Sequence, residues 1–206
     1  MIQTAQASRS TGAHGQDRAA LIDFGEVTVV VVADGAGGTG GGAAAAELVV
    51  AHVRRVAEAN ALPDTFTWRA TFAELDMDLR GVGQTTAVVV VLSEGKVTGC
   101  SVGDSGAWLI TSLGFIDLTE RQKRKPLLGT GNAEPVAFSR PWADGTLLVA
   151  TDGLLKYAPA TRVTELARSA NLESGAAALV ELVTLPSGSV QDDVAVVLCR
   201  SCAAAS

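Results

Sequence analysis

Short runs of β-branched and other apolar residues recur along the chain and predict its strands. They cover residues 27–33, 86–92, 97–102, 107–111, 146–150 and 194–199. Each run is too short for a buried helix and is bounded by glycine or polar residues, which is typical of a strand. We therefore expect six or more strands, with these apolar runs in the core.

Four longer segments have helical composition and fall into two pairs. The predicted helices cover residues 42–60, 64–79, 160–171 and 174–183. Pro63 and Pro159 stand at helix entries, where the missing N–H of proline costs no hydrogen bond. The first pair is thus expected before most of the strands and the second pair after them.

Between Gln84 and Leu118 the pattern predicts only strands, joined by short turns such as SEGK at 93–96 and SLG at 112–114. Short turns of this kind connect antiparallel neighbours. A helix pair, a strand meander and a second helix pair form an α+β order, which differs from alternating βαβ units. Two packed sheets with the helices outside fit this order best.

The size and charge of the chain limit its organisation and its partners. With 206 residues and 48% hydrophobic content, we expect a single domain over residues 1–206, with a frayed tail from about residue 200. The net charge of −6 argues against nucleic-acid binding. The basic run RQKRK at 121–125 is either a solvated loop or a contact for an acidic or phosphorylated partner.

Neither a membrane segment nor a zinc site is predicted. No apolar stretch reaches the roughly 18 residues of a membrane span, and the N-terminus lacks the apolar core of a secretion signal, so we expect a cytoplasmic location without membrane contact. Cys199 and Cys202 supply only half of a zinc site, which favours reduced thiols.

A G-x-G-x-x-G sequence at Gly35, Gly37 and Gly40 raises the alternative of a dinucleotide site. That site needs a βαβ unit and an acidic residue about 20 positions later, at the end of the next strand. Here residues 58–60 read EAN in a predicted helix, and the next element is also helical. Asp34, at the end of a strand and before the first glycine, is the more informative residue.

Aspartates recur where predicted strands begin or end. They lie in VADG at 32–35, VGDSG at 102–106, ATDGL at 150–154 and QDDVAVV at 191–197. Any one of them can be explained as an aspartate that starts a turn. Four of them on core strands would instead gather carboxylates at one or both sheet ends, where repulsion must be neutralised by cations. Carboxylate oxygens without histidines or paired thiols favour Mg²⁺ or Mn²⁺.

Few reactions are compatible with this set of residues. Two histidines give poor support to a catalytic triad, and the chain has neither a G-x-S-x-G elbow nor a phosphate-binding P-loop. A pair of divalent ions can activate a water for in-line attack, which points to hydrolysis of a phosphate ester. Gly35 would let its carbonyl approach an ion and would help the turn adopt an unusual backbone conformation.

Six segments, taken in order, carry a family resemblance. They are GQD at 15–17, ADGAGGTGGGAAA at 33–45, GQTTAVVVV at 83–91, VGDSGAWLI at 102–110, LLVATDGLLKY at 147–157 and QDDVAVVL at 191–198. Together they resemble the metal-dependent serine/threonine protein phosphatases of the PPM (type 2C) family, particularly its bacterial members. The resemblance implies an αββα four-layer sandwich, in which two antiparallel sheets are flanked by pairs of antiparallel helices.

The resemblance also implies a metal site and a mechanism. The implied metal ligands are Asp34, Gly35, Asp152 and Asp192, with Asp104 in a third, weaker site. Asp34 would bridge two Mn²⁺ or Mg²⁺ ions, and Asp17 would lie beside the metal centre. A water shared by the two ions would attack phosphorus directly, without a phosphoenzyme.

Several positions depart from the family pattern. Gly12 stands where an arginine usually holds the substrate phosphate, and Gln16 replaces the usual glutamate. Arg9, His14 and Arg18 are the candidate substitutes for that arginine, although an ordinary surface residue is the favoured interpretation of each.

Further departures affect the third metal site and the cleft. Asp193 stands where asparagine is common, and Gly106 replaces an arginine. The segment between Asp104 and Asp152 is short and leaves little room for a flap beside the site, so we expect an open cleft and loose substrate selection.

The leading hypothesis is a monomeric phosphatase acting on phosphoserine and phosphothreonine in proteins, with a cognate kinase. The alternative is a catalytically weak pseudo-phosphatase that serves as a regulatory phosphoprotein-binding module, since Gly12 and Gln16 both remove groups that the family uses.

Overall fold

The computed structural model describes residues 2–13, 15–37, 40–59 and 65–201. The strands are β1 (Ile2–Arg9), β2 (Arg18–Asp23), β3 (Thr28–Ala33), β4 (Ala87–Ser93), β5 (Lys96–Val102), β6 (Gly106–Thr111), β7 (Gly114–Asp117), β8 (Val136–Pro141), β9 (Thr146–Ala150) and β10 (Val194–Ser201). The helices are α1 (Gly42–Ala59), α2 (Thr65–Asp78), α3 (Asp152–Leu155), α4 (Ala160–Ala167) and α5 (Leu172–Leu182).

The strands form two five-stranded sheets. One has the order β1-β10-β9-β6-β7 and the other the order β2-β3-β4-β5-β8. All neighbouring strands within them are antiparallel. The hairpins predicted between residues 84 and 118 are therefore confirmed, and the direct connection from β5 to β6 passes from one sheet to the other.

The inner strands are apolar at nearly every position because both of their faces are buried. In β3, Val29 and Val31 pack with α1 and α2, whereas Val30 and Val32 pack between the two sheets. Side chains alternate between the faces of a strand, so a strand with two buried faces needs apolar residues throughout.

The sheet with the order β1-β10-β9-β6-β7 repeats this arrangement. In β9, Leu148 and Ala150 pack in a cluster with residues of α3, α4 and α5, and Leu147 and Val149 pack between the sheets. Three apolar layers thus separate four layers of secondary structure in the order helices, sheet, sheet, helices. The predicted αββα sandwich is confirmed.

The strands that were not predicted lie at sheet edges. β1, β2 and β8 are edge strands, and β7, which only the SLG turn suggested, is the fourth. In β1 only Ala5 is buried, so its sequence lacks the continuous apolar run of an inner strand. An edge strand has a hydrogen-bonded neighbour on one side only and often has one solvated face. It therefore carries fewer apolar residues, and its sequence pattern is weaker.

The four predicted helices are confirmed within a few residues at each end. The short helix α3 was not predicted. None of the helices in the described ranges is long and apolar enough to cross a bilayer.

The C-terminal strand extends past the point where a frayed tail was expected to begin. β10 runs to Ser201, and the Arg200 guanidinium donates to Thr146 Oγ1 and to the carbonyls of Ala167 and Ser169. The rest of that expected tail, residues 202–206, lies outside the described residues.

Candidate metal centre

In the sheet with the order β2-β3-β4-β5-β8, the candidate acidic residues lie at the same end of two neighbouring strands. Asp34 directly follows β3 and Asp17 directly precedes β2. Arg18 pairs with Ala33, so the two strands bring these aspartates to neighbouring positions. Antiparallel pairing thus joins residues that lie far apart in the chain.

In the sheet with the order β1-β10-β9-β6-β7, the candidate acidic residues also lie at one end of neighbouring strands. Asp152 follows β9 as the first residue of α3, and Asp192 precedes β10. Ala150, the last residue of β9, pairs with Gly106 at the start of β6 and with Val196 near the start of β10. The crossover from β5 to β6 carries the remaining candidate, Asp104, between the sheets.

Three of these carboxylates converge. Asp34, Asp104 and Asp152 each place one oxygen so that the three oxygens lie within 4.8 Å of one another. This spacing is near the separation of oxygen ligands around one hard divalent cation. The sequence hypothesis that strand-end aspartates gather at one place is therefore confirmed for these three, which we call the acidic triad.

Burial and neighbouring carboxylates raise the pKa values of Asp34, Asp17 and Asp152. Burial, followed by the charges of Asp17 and Asp152, raises the pKa of Asp34 to about 9. Burial also raises the pKa of Asp17 to about 7, with the charge of Asp193 adding to the effect. The pKa of Asp152 is raised by burial and then by the charge of Asp104. These carboxylates repel one another, and a bound cation would remove the repulsion.

Two buried oxygens of the residues just before β2 accept no hydrogen bond from the described part of the chain. They are Gln16 Oε1 and Asp17 Oδ2. Buried polar atoms are nearly always paired, so unpaired ones at a site of gathered carboxylates suit a water or an ion. Oxygen donors alone match the ligand preference of Mg²⁺ and Mn²⁺, and the residues present therefore fit such ions.

Hydroxyl groups from the GQTTA and VGDSG segments fix the backbone of Asp34. Thr85 Oγ1 donates to the Asp34 carbonyl at 2.8 Å, and the Thr86 N–H donates to the same oxygen at 2.9 Å. The Asp34 N–H in turn donates to Thr86 Oγ1 at 3.0 Å, and Thr86 Oγ1 lies 2.6 Å from Ser105 Oγ. The threonines of the GQTTA segment therefore hold the backbone of Asp34 in place, a role that the sequence reasoning missed.

The glycines of the ADG turn allow close backbone packing. A Cβ on Gly35 would overlap the carbonyl of Gly42 at the start of α1, so only glycine fits between β3 and this helix. Gly40 and Gly41 have φ of 71° and 72°, a region that favours glycine. The unusual backbone conformation expected of this turn is thus located at these two residues.

Asp193 differs from its neighbours because it accepts hydrogen bonds from the N-terminal loop. Its carboxylate accepts the N–H and the hydroxyl of Thr11, at 2.6 and 2.9 Å, and the N–H of Gln16 at 2.5 Å. Burial alone would raise the pKa of Asp193, but these donors outweigh it and hold the pKa below its ordinary value. Asp193 therefore ties the loop that carries Asp17 to the start of β10.

The two described candidates for phosphate binding have partners elsewhere. Arg9 donates to Thr184 Oγ1 and pairs with Glu181 at 2.6 Å. Arg18 pairs with Glu47 at 2.9 Å and also donates to two backbone carbonyls of the N-terminal loop. His14 lies outside the described residues.

Two cations beside the acidic triad were not predicted as site residues. Arg124, in the RQKRK run, reaches Asp104 Oδ2 with Nη2 at 2.7 Å and with Nε at 2.8 Å. Lys156 lies one helical turn after Asp152, with its Nζ 4.0 Å from Asp152 Oδ2. The four-residue spacing could have revealed Lys156, whereas Arg124 is brought to Asp104 by tertiary structure.

A family model described as "Stage II sporulation protein E (SpoIIE)" matches residues 25–201. No curated protein sequence matches the chain significantly.

Several solved structures share the fold. A bacterial serine phosphatase is 20% identical, with a TM-score of 0.83 over 97% of this chain and 98% of that chain. The serine/threonine phosphatase Stp1 from Staphylococcus aureus is 19% identical, with a TM-score of 0.84 over 98% and 96% of the two chains. The catalytic domain of the phosphatase PstP, in complex with two manganese ions, is 19% identical, with a TM-score of 0.76 over 97% of each chain.

Proposed function

The chain belongs to the stage II sporulation protein E (SpoIIE) family of metal-dependent PPM phosphatases, and on that premise we propose that it hydrolyses phosphoserine and phosphothreonine esters in a protein substrate. The observation that supports this activity most directly is the acidic triad at one end of the sandwich. A cluster of mutually repelling carboxylates destabilises a fold unless a cation compensates it, so its presence suggests a metal-dependent function.

In this proposal each acidic residue is assigned to a particular metal site. The ligands of two Mn²⁺ or Mg²⁺ ions are Asp34, the Gly35 carbonyl, Asp152 and Asp192, and Asp104 serves a third, weaker site. The two manganese ions bound by PstP support this choice of cofactor. The charge of Asp192 contributes to the raised pKa of both Asp34 and Asp152, in keeping with a place near them.

When bound, the two ions would polarise the phosphoryl oxygens and acidify a water that attacks phosphorus in line, without a phosphoenzyme. The chain itself orients the reacting groups. Thr85 and Thr86 fix Asp34 through its carbonyl and N–H, and Asp193 fixes the loop that carries Asp17. Asp17 Oδ2, which is buried and accepts no hydrogen bond from a described residue, can accept one from the attacking water.

The partners in this proposal are a phosphorylated protein and the kinase that modifies it. We further propose a monomer in the cytoplasm. The short segment between Asp104 and Asp152 supports an open cleft that would accept phosphorylated segments of varied sequence.

The test is hydrolysis of p-nitrophenyl phosphate and of a panel of phosphopeptides, with Mn²⁺ and with a chelator. We expect turnover that depends on Mn²⁺ and is lost in Asp34→Ala. Asp144→Ala is the matched control, because Asp144 also precedes a glycine but is exposed in the turn before β9, at the opposite end of that strand from Asp152. Absence of Mn²⁺-dependent turnover in the wild type would refute the proposal and favour the regulatory binding module.

A further inference from the structure

The site contains an excess of negative charge toward a substrate that is itself an anion. Gly12, where the family usually has its phosphate-binding arginine, is exposed, with open space around the position of a Cβ. Arg9 and Arg18 are engaged with Glu181 and Glu47. Among the described residues, a different cation beside the carboxylates could attract a phosphate group.

Arg124 is placed where such a cation is needed. Its guanidinium contacts Asp104 Oδ2 through Nε and Nη2, at 2.8 and 2.7 Å, and Asp104 belongs to the acidic triad. The side chain of Arg124 is 72% exposed, whereas that of Asp104 is 23% exposed, so the guanidinium lies at the solvent side of this pair. A guanidinium has five N–H donors in a planar fork, which lets it contact a phosphate group in addition to a carboxylate.

The loop that carries Arg124 is fastened to the framework of the site. After the basic run, Leu128 exchanges two backbone hydrogen bonds with Thr85, at 3.0 and 3.2 Å, and Thr85 also holds Asp34. Before Arg124, Gln122 Oε1 accepts the Ser101 hydroxyl at 3.1 Å. The RQKRK run is therefore attached on both sides of Arg124.

A buried carboxylate completes this attachment. Asp76 of α2 is 4% exposed and accepts the backbone N–H groups of Gly129, Gly131 and Ala133 at 2.8 to 2.9 Å. An aspartate with three such donors holds a loop rigidly in place. The position of Arg124 beside Asp104 is thus set by the fold as well as by its own ion pair.

We propose that Arg124 binds the substrate phosphate and takes over the role of the arginine that is missing at position 12. This inference rests on the proposed phosphatase function. Asp104, besides its proposed place in the third metal site, then also positions the guanidinium. Within the same run Lys123 pairs with Glu134 at 2.8 Å, away from the acidic triad, so the basic residues of the run have different roles.

The test compares Arg124→Ala and Arg124→Lys with the matched control Lys123→Ala. With a phosphopeptide and saturating Mn²⁺, we expect Arg124→Ala to raise KM by about 10-fold or more, with a smaller change in kcat, since one charge-assisted contact to phosphate is lost. Arg124→Lys should restore part of the loss, and Lys123→Ala should stay within about twofold of the wild type. Unchanged KM in Arg124→Ala would overturn the inference.

Calorimetric titration of the Mn²⁺-loaded proteins with inorganic phosphate provides a readout that does not depend on turnover. Arg124→Ala should bind phosphate about 10-fold more weakly, while its melting temperature stays that of the wild type because the side chain is largely exposed. If the wild type lacks turnover, the phosphatase proposal fails, and this titration still decides the role of Arg124. Equal phosphate affinity in the wild type and Arg124→Ala would overturn it.

Two other outcomes would also contradict the inference. A change confined to Mn²⁺ affinity would show that Arg124 only balances the charge of Asp104. Loss of phosphate affinity in Lys156→Ala, with Arg124→Ala unaffected, would assign phosphate binding to Lys156, which lies beside Asp152 and 4.8 Å from the centre of the Tyr157 ring.

Discussion

Two groups of aspartates in this molecule have opposite environments. The acidic triad of Asp34, Asp104 and Asp152 places carboxylates against one another. Asp193 and Asp76, in contrast, each accept several hydrogen bonds from loop backbones. The first group is short of positive charge, whereas the second group has its charge compensated by donors.

The contrast shows how one residue type serves both function and structure. A carboxylate surrounded by N–H groups stabilises the fold as an anion, but a carboxylate surrounded by other carboxylates needs a cation. Asp192 and Asp193 are adjacent in sequence, and we assign the first to metal binding and the second to holding the N-terminal loop. The neighbours of each side chain, which only the fold supplies, decide its role.

The largest expected effect is the loss of activity when an aspartate of the acidic triad is replaced. Asp34→Ala should lower Mn²⁺-dependent hydrolysis by at least about 10²-fold, because it removes a carboxylate of the acidic triad that is also proposed to bind both metal ions. The metal-free variant should be no less stable than the wild type, since the mutual repulsion of the acidic residues is relieved. Phosphatase assays together with thermal melts measure both effects. Activity close to that of the wild type would contradict the role of the acidic triad.

The second group should show the reverse pattern, with a large effect on stability. Asp193→Ala leaves the N–H groups of Thr11 and Gln16 without their acceptor and should lower the free energy of unfolding by about 3 kcal/mol. Asp193→Asn should cost less, because its amide oxygen still accepts hydrogen bonds. Urea denaturation of the metal-free proteins measures the difference. A loss in Asp193→Ala below about 1 kcal/mol would contradict the comparison.

A smaller effect is expected from pH in the metal-free protein. Because the folded state raises the pKa of Asp17 to about 7 and that of Asp34 to about 9, it holds protons that the unfolded chain releases near pH 4. Their contribution to stability is complete below pH 4 and is lost as the pH rises through the folded-state values. The melting temperature should therefore fall by roughly 5 °C between pH 5.5 and pH 7.5.

Asp193 does not contribute to this change in melting temperature. Because its pKa is lowered in the folded state, it makes stability depend on pH only below the ordinary pKa of an aspartate. Excess Mn²⁺ should raise the melting temperature at pH 7.5 more than at pH 5.5, since metal ions bind the deprotonated carboxylates of the folded state. Equal melting temperatures in all four conditions would argue against a cluster of carboxylates short of charge.

The smallest effect is expected for an aspartate that belongs to neither group. Asp144→Ala, in an exposed turn, should change the free energy of unfolding by less than about 0.5 kcal/mol. Urea denaturation in parallel with Asp193→Ala provides the comparison. A loss as large as that of Asp193→Ala would show that the hydrogen bonds of Asp193 are not the reason for its effect.

The sequence predicts the inner part of the fold well and its margins poorly. β3 and β9 are buried on both faces, so their composition alone identifies them. β1 and β8 expose half or more of their residues and depend on pairing with β10 and β5. Their pairing comes from contacts distant in sequence, which local patterns do not encode.

The site divides in the same way. Asp34, Asp104 and Asp152 are recognisable because each stands beside glycine or serine at the end of a strand. The sequence does not show that Arg124 lies beside the carboxylates or that Asp193 binds the N-terminal loop. The hydrogen-bond partners of both residues lie 20 or more positions away in the chain. The single domain, the monomeric state and the ligand roles of individual residues stay predictions.

The most direct test of the metal centre is a crystal structure of the protein grown in Mn²⁺, with diffraction data collected at the manganese absorption edge. We predict anomalous difference peaks among the carboxylates of Asp34, Asp152 and Asp192, and weaker density beside Asp104. An ordered structure in which these side chains point apart, without an anomalous peak between them, would contradict the proposed function.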